Sequence, residues 1–551
     1  MSSFKDKVVY QIYPKSFRDA DGDGIGDLRG IIEKLDYLSW LGIDYLWMTP
    51  FFVSPQRDNG YDIADYCSID PRFGRMEDLE ELIFQGEKRG IGIMLDMVFN
   101  HTSTEHKWFQ KALAGEQKYQ DYYIFRDGTP DTPPCNWVSK FGGSAWEYVP
   151  SLGKWYLHLF DKTQADLNWR NPEAREELKK VIGFWKEKGV KGFRFDVVNL
   201  ISKPEEFKDD HQGDGRRFYT DGSHVHEYLK ELVRDTGIGD MVTVGEMSST
   251  TLENGIRYTD PEEKELSMCF SFHHLKADYK NGEKWEIQPT DYEKLTDILK
   301  TWQLGMEKNR GWNAVFWCNH DQPRIVSRLG DETTYWKESA KMLAAMVHMM
   351  RGTPYIYQGE ELGMTNAHFT DISQYRDVES INYYGIMTGH GKTKEEALHI
   401  LNERSRDNGR TPMQWNGEKN AGFSQGQPWI SLPAHRENIN VEAEIRDETS
   451  VLWYYRKLIE IRKKEKAVSL GKIEFLDEKD ALIFAYRRVW EEDEIVVYSN
   501  LSGEKKKLWD GREEDKRKAE DYERLLGNYE DMGAFAEGYL RPYESLILKR
   551  K

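Results

Sequence analysis

The stretch VKGFRFDVV (Val190–Val198) decides the fold. Its apolar residues are nearly continuous. An extended chain puts Arg194 and Asp196 on one side and Phe193 and Phe195 on the other. Seven further runs share this build and end in polar or charged residues: Val8–Pro14, Asp44–Pro50, Gly92–His101, Met241–Glu246, Met268–His274, Asn313–Asp321 and Pro354–Glu360. Continuous rather than alternating apolar runs fit strands covered on both faces. Helical periodicity separates them, as at Leu28–Leu41, Met76–Arg89, Glu173–Lys188 and Ser223–Arg234. Eight strands alternating with helices predict an α/β fold, a (β/α)8 TIM barrel, with an open doubly wound sheet as the rival.

The spacing widens twice. Between the third and fourth strands, residues 102–171 carry the turn signals Asp127-Gly128, Pro133-Pro134 and Gly142-Gly143 and are read as a small inserted domain. The barrel is then assigned residues 1–101 and 172–467. After the eighth strand, Thr365–Gln414 includes a charged helical stretch, Thr393–Ser405, expected to form a lid or wall. From Val468 the pattern changes to short strands, Lys472–Phe475, Ala481–Arg487, Glu494–Ser499 and Ser545–Lys549. Residues 468–551 are therefore expected to be an antiparallel β domain, a β-sandwich, interrupted by a solvated charged helix or arm at Glu513–Leu526.

Composition narrows the class. The 551 residues carry 95 acidic and 77 basic side chains, a formal charge of −18, with 39% hydrophobic and 31% charged residues. That usage excludes a fibrous or disordered chain, and the acidic balance argues against nucleic acid. No run of about 18 apolar residues occurs, and MSSFKDKVVYQIYP lacks the build of a signal peptide, so a cytoplasmic protein without a membrane span is expected. A monomer is expected too. The four cysteines show no metal or disulfide spacing. The 18 Trp, 30 Tyr and 24 Phe serve a core, and also suit a cleft that stacks sugar rings.

Side chains at the C-terminal ends of barrel strands converge on one mouth. Those ends carry Asp196, Glu246 and Asp321, with His101, Asp62, Arg194 and His320 close by. Any one aspartate at a strand end could merely cap the next helix. Three carboxylates with two histidines and an arginine suit chemistry through an oxocarbenium-like transition state. One must remain ionised, which Arg194, two residues before Asp196, is expected to favour by lowering its pKa, and another must remain protonated.

Near the N-terminus, DADGDGIGD sets Asp19, Asp21, Asp23 and Asp27 at alternate positions between glycines, with the Ile25 carbonyl among them. Carboxylates so close repel unless a cation intervenes, although a solvated acidic turn has the same composition. Gly30 occupies the place where an EF-hand needs its bidentate Glu. A Ca2+ ion, or Mg2+, with a structural role is expected, and no organic cofactor.

DMVFNH (Asp96–His101), GFRFDVVN (Gly192–Asn199), VGE (Val244–Glu246), NHDQ (Asn319–Gln322) and QADLNW (Gln164–Trp169) also carry a resemblance. The chain resembles the α-amylase family of retaining glycoside hydrolases, in its oligo-1,6-glucosidase branch. The resemblance implies Asp196 as nucleophile, Glu246 as general acid/base and Asp321 as the third carboxylate. It implies His101 and His320 as hydrogen-bond partners of the first sugar, Tyr61 as its stacking face, and Asp58 with Arg410 as the pair closing an exo-acting pocket. It also implies a single-calcium loop at Asp19–Asp27. GEMSSTT (Gly245–Thr251), NLISK (Asn199–Lys203), GDGRRFYTDG (Gly213–Gly222) and FSFHHLKADYKNGEKW (Phe270–Trp285) are similar to the branch members that hydrolyse trehalose 6-phosphate rather than isomaltose. A phosphorylated disaccharide needs local cations. His273, His274, Lys276, Lys280 and Lys284 form a positive cluster that is either a phosphate site or a solvated face. Lys276 and Lys284 are the favoured contacts, with Arg216 and Arg217 in reserve.

Overall fold

A computed structural model describes residues 4–433, 438–476, 480–509 and 520–551. Eight parallel strands form the centre: β1 (Val9–Ile12), β2 (Tyr45–Met48), β3 (Gly92–Met97), β4 (Gly192–Phe195), β5 (Val242–Met247), β6 (Met268–Ser271), β7 (Ala314–Val315) and β8 (Thr353–Tyr357). Their order is β6-β5-β4-β3-β2-β1-β8-β7, and a parallel bridge from Cys269 to Asn313 joins β6 to the start of β7. The ring closes, which decides for the barrel over the open sheet. β4 is buried at every position, as a strand covered on both faces must be.

Helices pack around the barrel. Pro172–Glu187 begins with Asn171 accepting from the Glu173 amide and with Pro172 in the first turn, where its missing N–H costs nothing. It buries Leu178, Val181, Ile182 and Trp185. The helix expected over Leu28–Leu41 is two, Leu28–Glu33 and Leu35–Leu41, because Lys34 leaves helical geometry at φ −104° and ψ 4°.

Within residues 102–171, the strands Phe125–Asp127, Trp146–Val149 and Lys154–Leu157 form a three-stranded antiparallel sheet. Its core, including Trp137, Trp146 and Leu157, is shared with Val197, Leu200 and Tyr219 from the segment after β4. Beyond β8, the helices Val378–Gly389 and Lys394–Arg404 pack around Trp285, Phe369 and Tyr375.

The C-terminal region is a five-stranded antiparallel sheet, ordered Lys472–Phe475, Ile483–Trp490, Asp493–Asn500, Ser545–Arg550, Tyr522–Gly527. It is anchored to the barrel by the Tyr486 hydroxyl on the Met346 carbonyl (2.9 Å) and by Arg488 on the Met349 carbonyl (2.7 Å). A two-stranded pair, Lys506–Lys507 with Tyr539–Leu540, packs on this sheet through Leu540, which shares a core with Ile483, Leu546 and Leu548. Of the charged arm expected at Glu513–Leu526, residues 513–519 lie outside the described residues. Tyr522–Gly527 is an edge strand, held by pairing with Ser545–Arg550 that local charge does not reveal.

Candidate active site

The register of the barrel sets the centre of the site. β4 pairs with β3 so that Arg194 faces Asp96, and the Asp196 amide donates to the Met97 carbonyl at 3.0 Å. Arg194 is almost fully buried. Its guanidinium donates to Asp96 at 2.6 Å and Asp196 at 2.7 Å, and it ion-pairs with Glu246 at the end of β5. Asp96 is also bonded by the Trp47 indole (3.1 Å) and the Tyr61 hydroxyl (2.9 Å). One cation thus gathers both candidate reacting carboxylates. Immediately beyond Asp196, Val197 has φ +33°, a strained conformation for a β-branched residue, at the turn that presents the carboxylate.

Asp58, Tyr61, His101, Asp196, Glu246 and Asp321 line one cavity of about 260 Å³, together with Lys276 and Lys284. Phe141 and Phe160 of the inserted segment cover it, the Phe160 ring 5.2 Å from His101. The His101 Nε2 lies 3.1 Å from the Tyr61 carbonyl, and the Tyr61 and His320 rings are nearly parallel at 5.1 Å. His320 Nδ1 is held by the Gln11 amide at 2.8 Å.

The closing cation differs from the expectation. Arg406, rather than Arg410, ion-pairs with Asp58 (3.0 Å). The same guanidinium holds Asp377 (2.5 Å) and reaches Asp321 (3.3 Å), and it lies 4.9 Å from the Phe141 ring. Arg410 instead binds Asp321 (2.8 Å) and the His320 carbonyl (2.8 Å). The sequence RDNGR offers two arginines one helical turn apart, and only the packing of Asp407–Arg410 on the barrel selects between them.

Burial sorts the carboxylates. It pushes Asp196 up to about 6, with Asp96 adding to the shift, and this outweighs the downward pull of Arg194 and His101. The arginine therefore lowers this acid as anticipated without holding it low overall. Asp58 is pushed up to about 7 by burial and by neighbouring Asp62 and Asp377, against Arg406 and Arg410. Asp321 is only partly buried, its side chain 29% exposed, and its cationic neighbours keep it well below the usual carboxylate range. Burial drives His320 itself down to about 3, so at neutral pH it acts on Asp321 as a dipole while Arg406 and Arg410 supply the charge. His101 is likewise lowered by burial.

The expected positive cluster divides. Lys276 and Lys284 line the cavity, but Lys284 is ion-paired with Glu379 at 2.6 Å. His273 turns to the Thr250 carbonyl (2.7 Å) and His274 to the Phe316 carbonyl (3.1 Å), while Lys280 is exposed on a turn. Arg216 and Arg217 are paired with Asp214 and Asp210. Asp62 sits behind the site, accepting from Ser54 and from the Arg57 and Asp58 amides.

At the acidic loop, Asp19, Asp21 and Asp27 bring carboxylate oxygens within 4.8 Å of one another, and Asp23 stands outside that group. Asp19 accepts from the Gly22 and Gly24 amides, and Asp27 caps the helix Leu28–Glu33 through the Gly30 amide. Gly24 has φ +97°, and a Cβ there would meet the Gln427 carbonyl at 1.9 Å. This glycine is required.

Sequence reasoning missed Asp96, Arg406, Asp377 and Glu379. Asp96 opens the DMVFNH motif, but only the register shows it facing Arg194. Asp377 and Glu379 lie in the long segment after β8, where no periodicity marks them.

Comparison with known proteins gives the family. Residues 11–471 match the family model for the α-amylase catalytic domain. The chain belongs to the α-amylase family. It is 53% identical to a trehalose-6-phosphate hydrolase of Bacillus subtilis over 551 residues, covering 99% of this chain and 98% of the relative. It is 44% identical to an oligo-1,6-glucosidase of Bacillus cereus over 557 residues, covering 100% and 99%. The crystal structure of Bacillus licheniformis trehalose-6-phosphate hydrolase superposes with a TM-score of 0.93 at 52% identity, covering all of both chains.

Proposed function

We propose that this family member hydrolyses α,α-trehalose 6-phosphate to glucose and glucose 6-phosphate, with the α configuration retained. The observation that carries the reading is a single cavity in which Asp196, Glu246 and Asp321 share walls with Lys276. One guanidinium bridges Asp196 and Glu246, which keeps the pair close, as displacement through a glycosyl-enzyme requires. Glu246 protonates the bridging oxygen while Asp196 attacks the anomeric carbon of the unphosphorylated glucose. Glu246 then takes a proton from water, whose oxygen bonds to that carbon and frees Asp196. Asp321, ionised by its arginines, accepts from sugar hydroxyls, with His101 and His320 beside it and Tyr61 as the stacking face. The Asp58–Arg406–Asp377 contacts close the pocket behind one terminal glucose, so cleavage is exo.

The oxygens of Asp19, Asp21 and Asp27 suit a hard cation, and we assign the loop to Ca2+ in a structural role, Ile25 offering its carbonyl. Among the described residues no helix is long and apolar enough to cross a membrane. A phosphorylated sugar does not cross a bilayer unaided, which supports a cytoplasmic enzyme.

Lys284, neutralised by Glu379, favours the second reading, an oligo-1,6-glucosidase acting on isomaltose. The two separate by kcat/KM on trehalose 6-phosphate, trehalose and isomaltose. A preference of about a hundredfold for the phosphorylated sugar, roughly 2.7 kcal/mol, is expected, and a preference for isomaltose would overturn the first reading.

A further inference from the structure

The inserted segment contributes a cation of its own. Lys140 lines the same cavity as Glu246, and its Nζ lies 3.2 Å from the Ser248 hydroxyl, two residues past Glu246. The backbone around it is pinned. The Lys140 amide donates to the Leu159 carbonyl (2.8 Å), and Ser139 Oγ both donates to the Phe160 carbonyl (2.7 Å) and accepts from the Phe141 amide (3.1 Å). Among the described residues, no carboxylate lies within 4 Å of the ammonium of Lys140 or of Lys276. Asp214, the acidic neighbour on that side, is already occupied through both oxygens by Arg216. Burial, with Arg216 and Lys276 adding repulsion against the opposing pull of Asp214 and Asp166, lowers Lys140 to about 8, and burial and Arg216 lower Lys276. Two half-buried cations facing one cavity without a carboxylate partner, in a chain of net charge −18, are an arrangement that an anion would complete.

We propose that Lys140 and Lys276 together grip the phosphate of the substrate, with Lys140 the specificity-determining contact that the inserted segment supplies, while Lys284 remains in its ion pair with Glu379. This assignment rests on the phosphorylated-disaccharide reading above. It places the phosphate between Ser248 and Lys276, on the acid/base side of the scissile bond, where the second glucose must lie if Asp196 attacks the first. The phosphate is remote from the reacting carbon, so its contacts act on ground state and transition state alike and appear mainly in KM.

The test is the specificity ratio: kcat/KM for trehalose 6-phosphate divided by kcat/KM for p-nitrophenyl α-glucoside. It is measured in the parent enzyme and in Lys140→Met, Lys140→Arg and Lys284→Met. Met keeps the length and apolar stem of the side chain and removes the charge. The ratio is expected to fall about 10- to 100-fold in Lys140→Met, chiefly through KM, to be largely restored in Lys140→Arg, and to fall less in Lys284→Met. A merely structural role for Lys140 moves both substrates together and leaves the ratio intact, which overturns the assignment. So does a larger fall in Lys284→Met than in Lys140→Met. A parent enzyme with no preference for the phosphorylated sugar overturns the substrate reading and this assignment with it. A parent preference that survives Lys140→Met overturns the lysine alone.

Discussion

Arg406→Gln tests the closing end of the pocket. The guanidinium holds the buried Asp58 at 3.0 Å and the buried Asp377 at 2.5 Å, and reaches the partly exposed Asp321 at 3.3 Å. At an effective dielectric of about 20, a contact near 3 Å carries roughly 5 kcal/mol of Coulomb attraction, largely offset by desolvation. Removing one partner of a buried pair costs about 3–5 kcal/mol, because the other charge is left unpaired. The loss falls unevenly here. Arg410 still binds Asp321 at 2.8 Å and approaches Asp377 at 3.6 Å, whereas among the described residues Asp58 keeps only the side-chain hydrogen bond from the Gln164 amide at 3.1 Å. Asp58 can escape by taking a proton, since its carboxyl is already raised to about 7.

That escape gives the variant a pH signature. A carboxyl whose pKa is higher in the folded than in the unfolded chain binds more protons when folded, so it lowers stability as pH rises through that interval. In the parent the decline from Asp58 ends near pH 7. In Arg406→Gln it continues above pH 7, at about 1.4 kcal/mol per pH unit until the variant's own pKa is passed. Urea denaturation with unchanged slope should therefore show a deficit of about 3 kcal/mol at pH 8, smaller at pH 5. kcat/KM on p-nitrophenyl α-glucoside should fall about a hundredfold as Asp58 and Asp321 lose their positions. A deficit under about 1 kcal/mol at pH 8, or one that is flat from pH 5 to pH 8, refutes the role given to Arg406.

Asp196→Asn should cost at least about a thousandfold in kcat/KM, roughly 4 kcal/mol, and turnover within tenfold of the parent would remove Asp196 as nucleophile. The acid limb of the kcat/KM profile should have its midpoint near pH 6, because Asp196 must be ionised to attack and burial raises it to about 6; an acid limb near pH 4 would show that Arg194 dominates after all. Ca2+ at a hundred times its Kd should add about 2.7 kcal/mol to the free energy of unfolding, reversed by EDTA and abolished in Asp21→Asn; an equal response in Asp21→Asn would exclude the loop.

Eight continuous apolar runs made the barrel legible in the sequence, because a strand covered on both faces admits few polar residues and the strand-end carboxylates stand out against them. The alternation of Arg194 and Asp196 likewise followed from the two-residue repeat of an extended chain. The partner of Asp58 was not legible: Arg406 and Arg410 sit one turn apart, and the choice depends on how the short helix beside them lies against Tyr357 at the end of β8. Lys140 was invisible for a similar reason, since nothing local separates a lysine beside a Phe-Gly-Gly turn from a solvated one until the inserted segment folds over the mouth. The edge strand Tyr522–Gly527 was hidden by its charges and appears only because Ser545–Arg550 supplies its hydrogen bonds. Periodicity and strand-end chemistry are local and survive in one dimension. Charge pairing and enclosure join residues hundreds of positions apart, Asp58 to Arg406 among them, and exist only once the chain has packed.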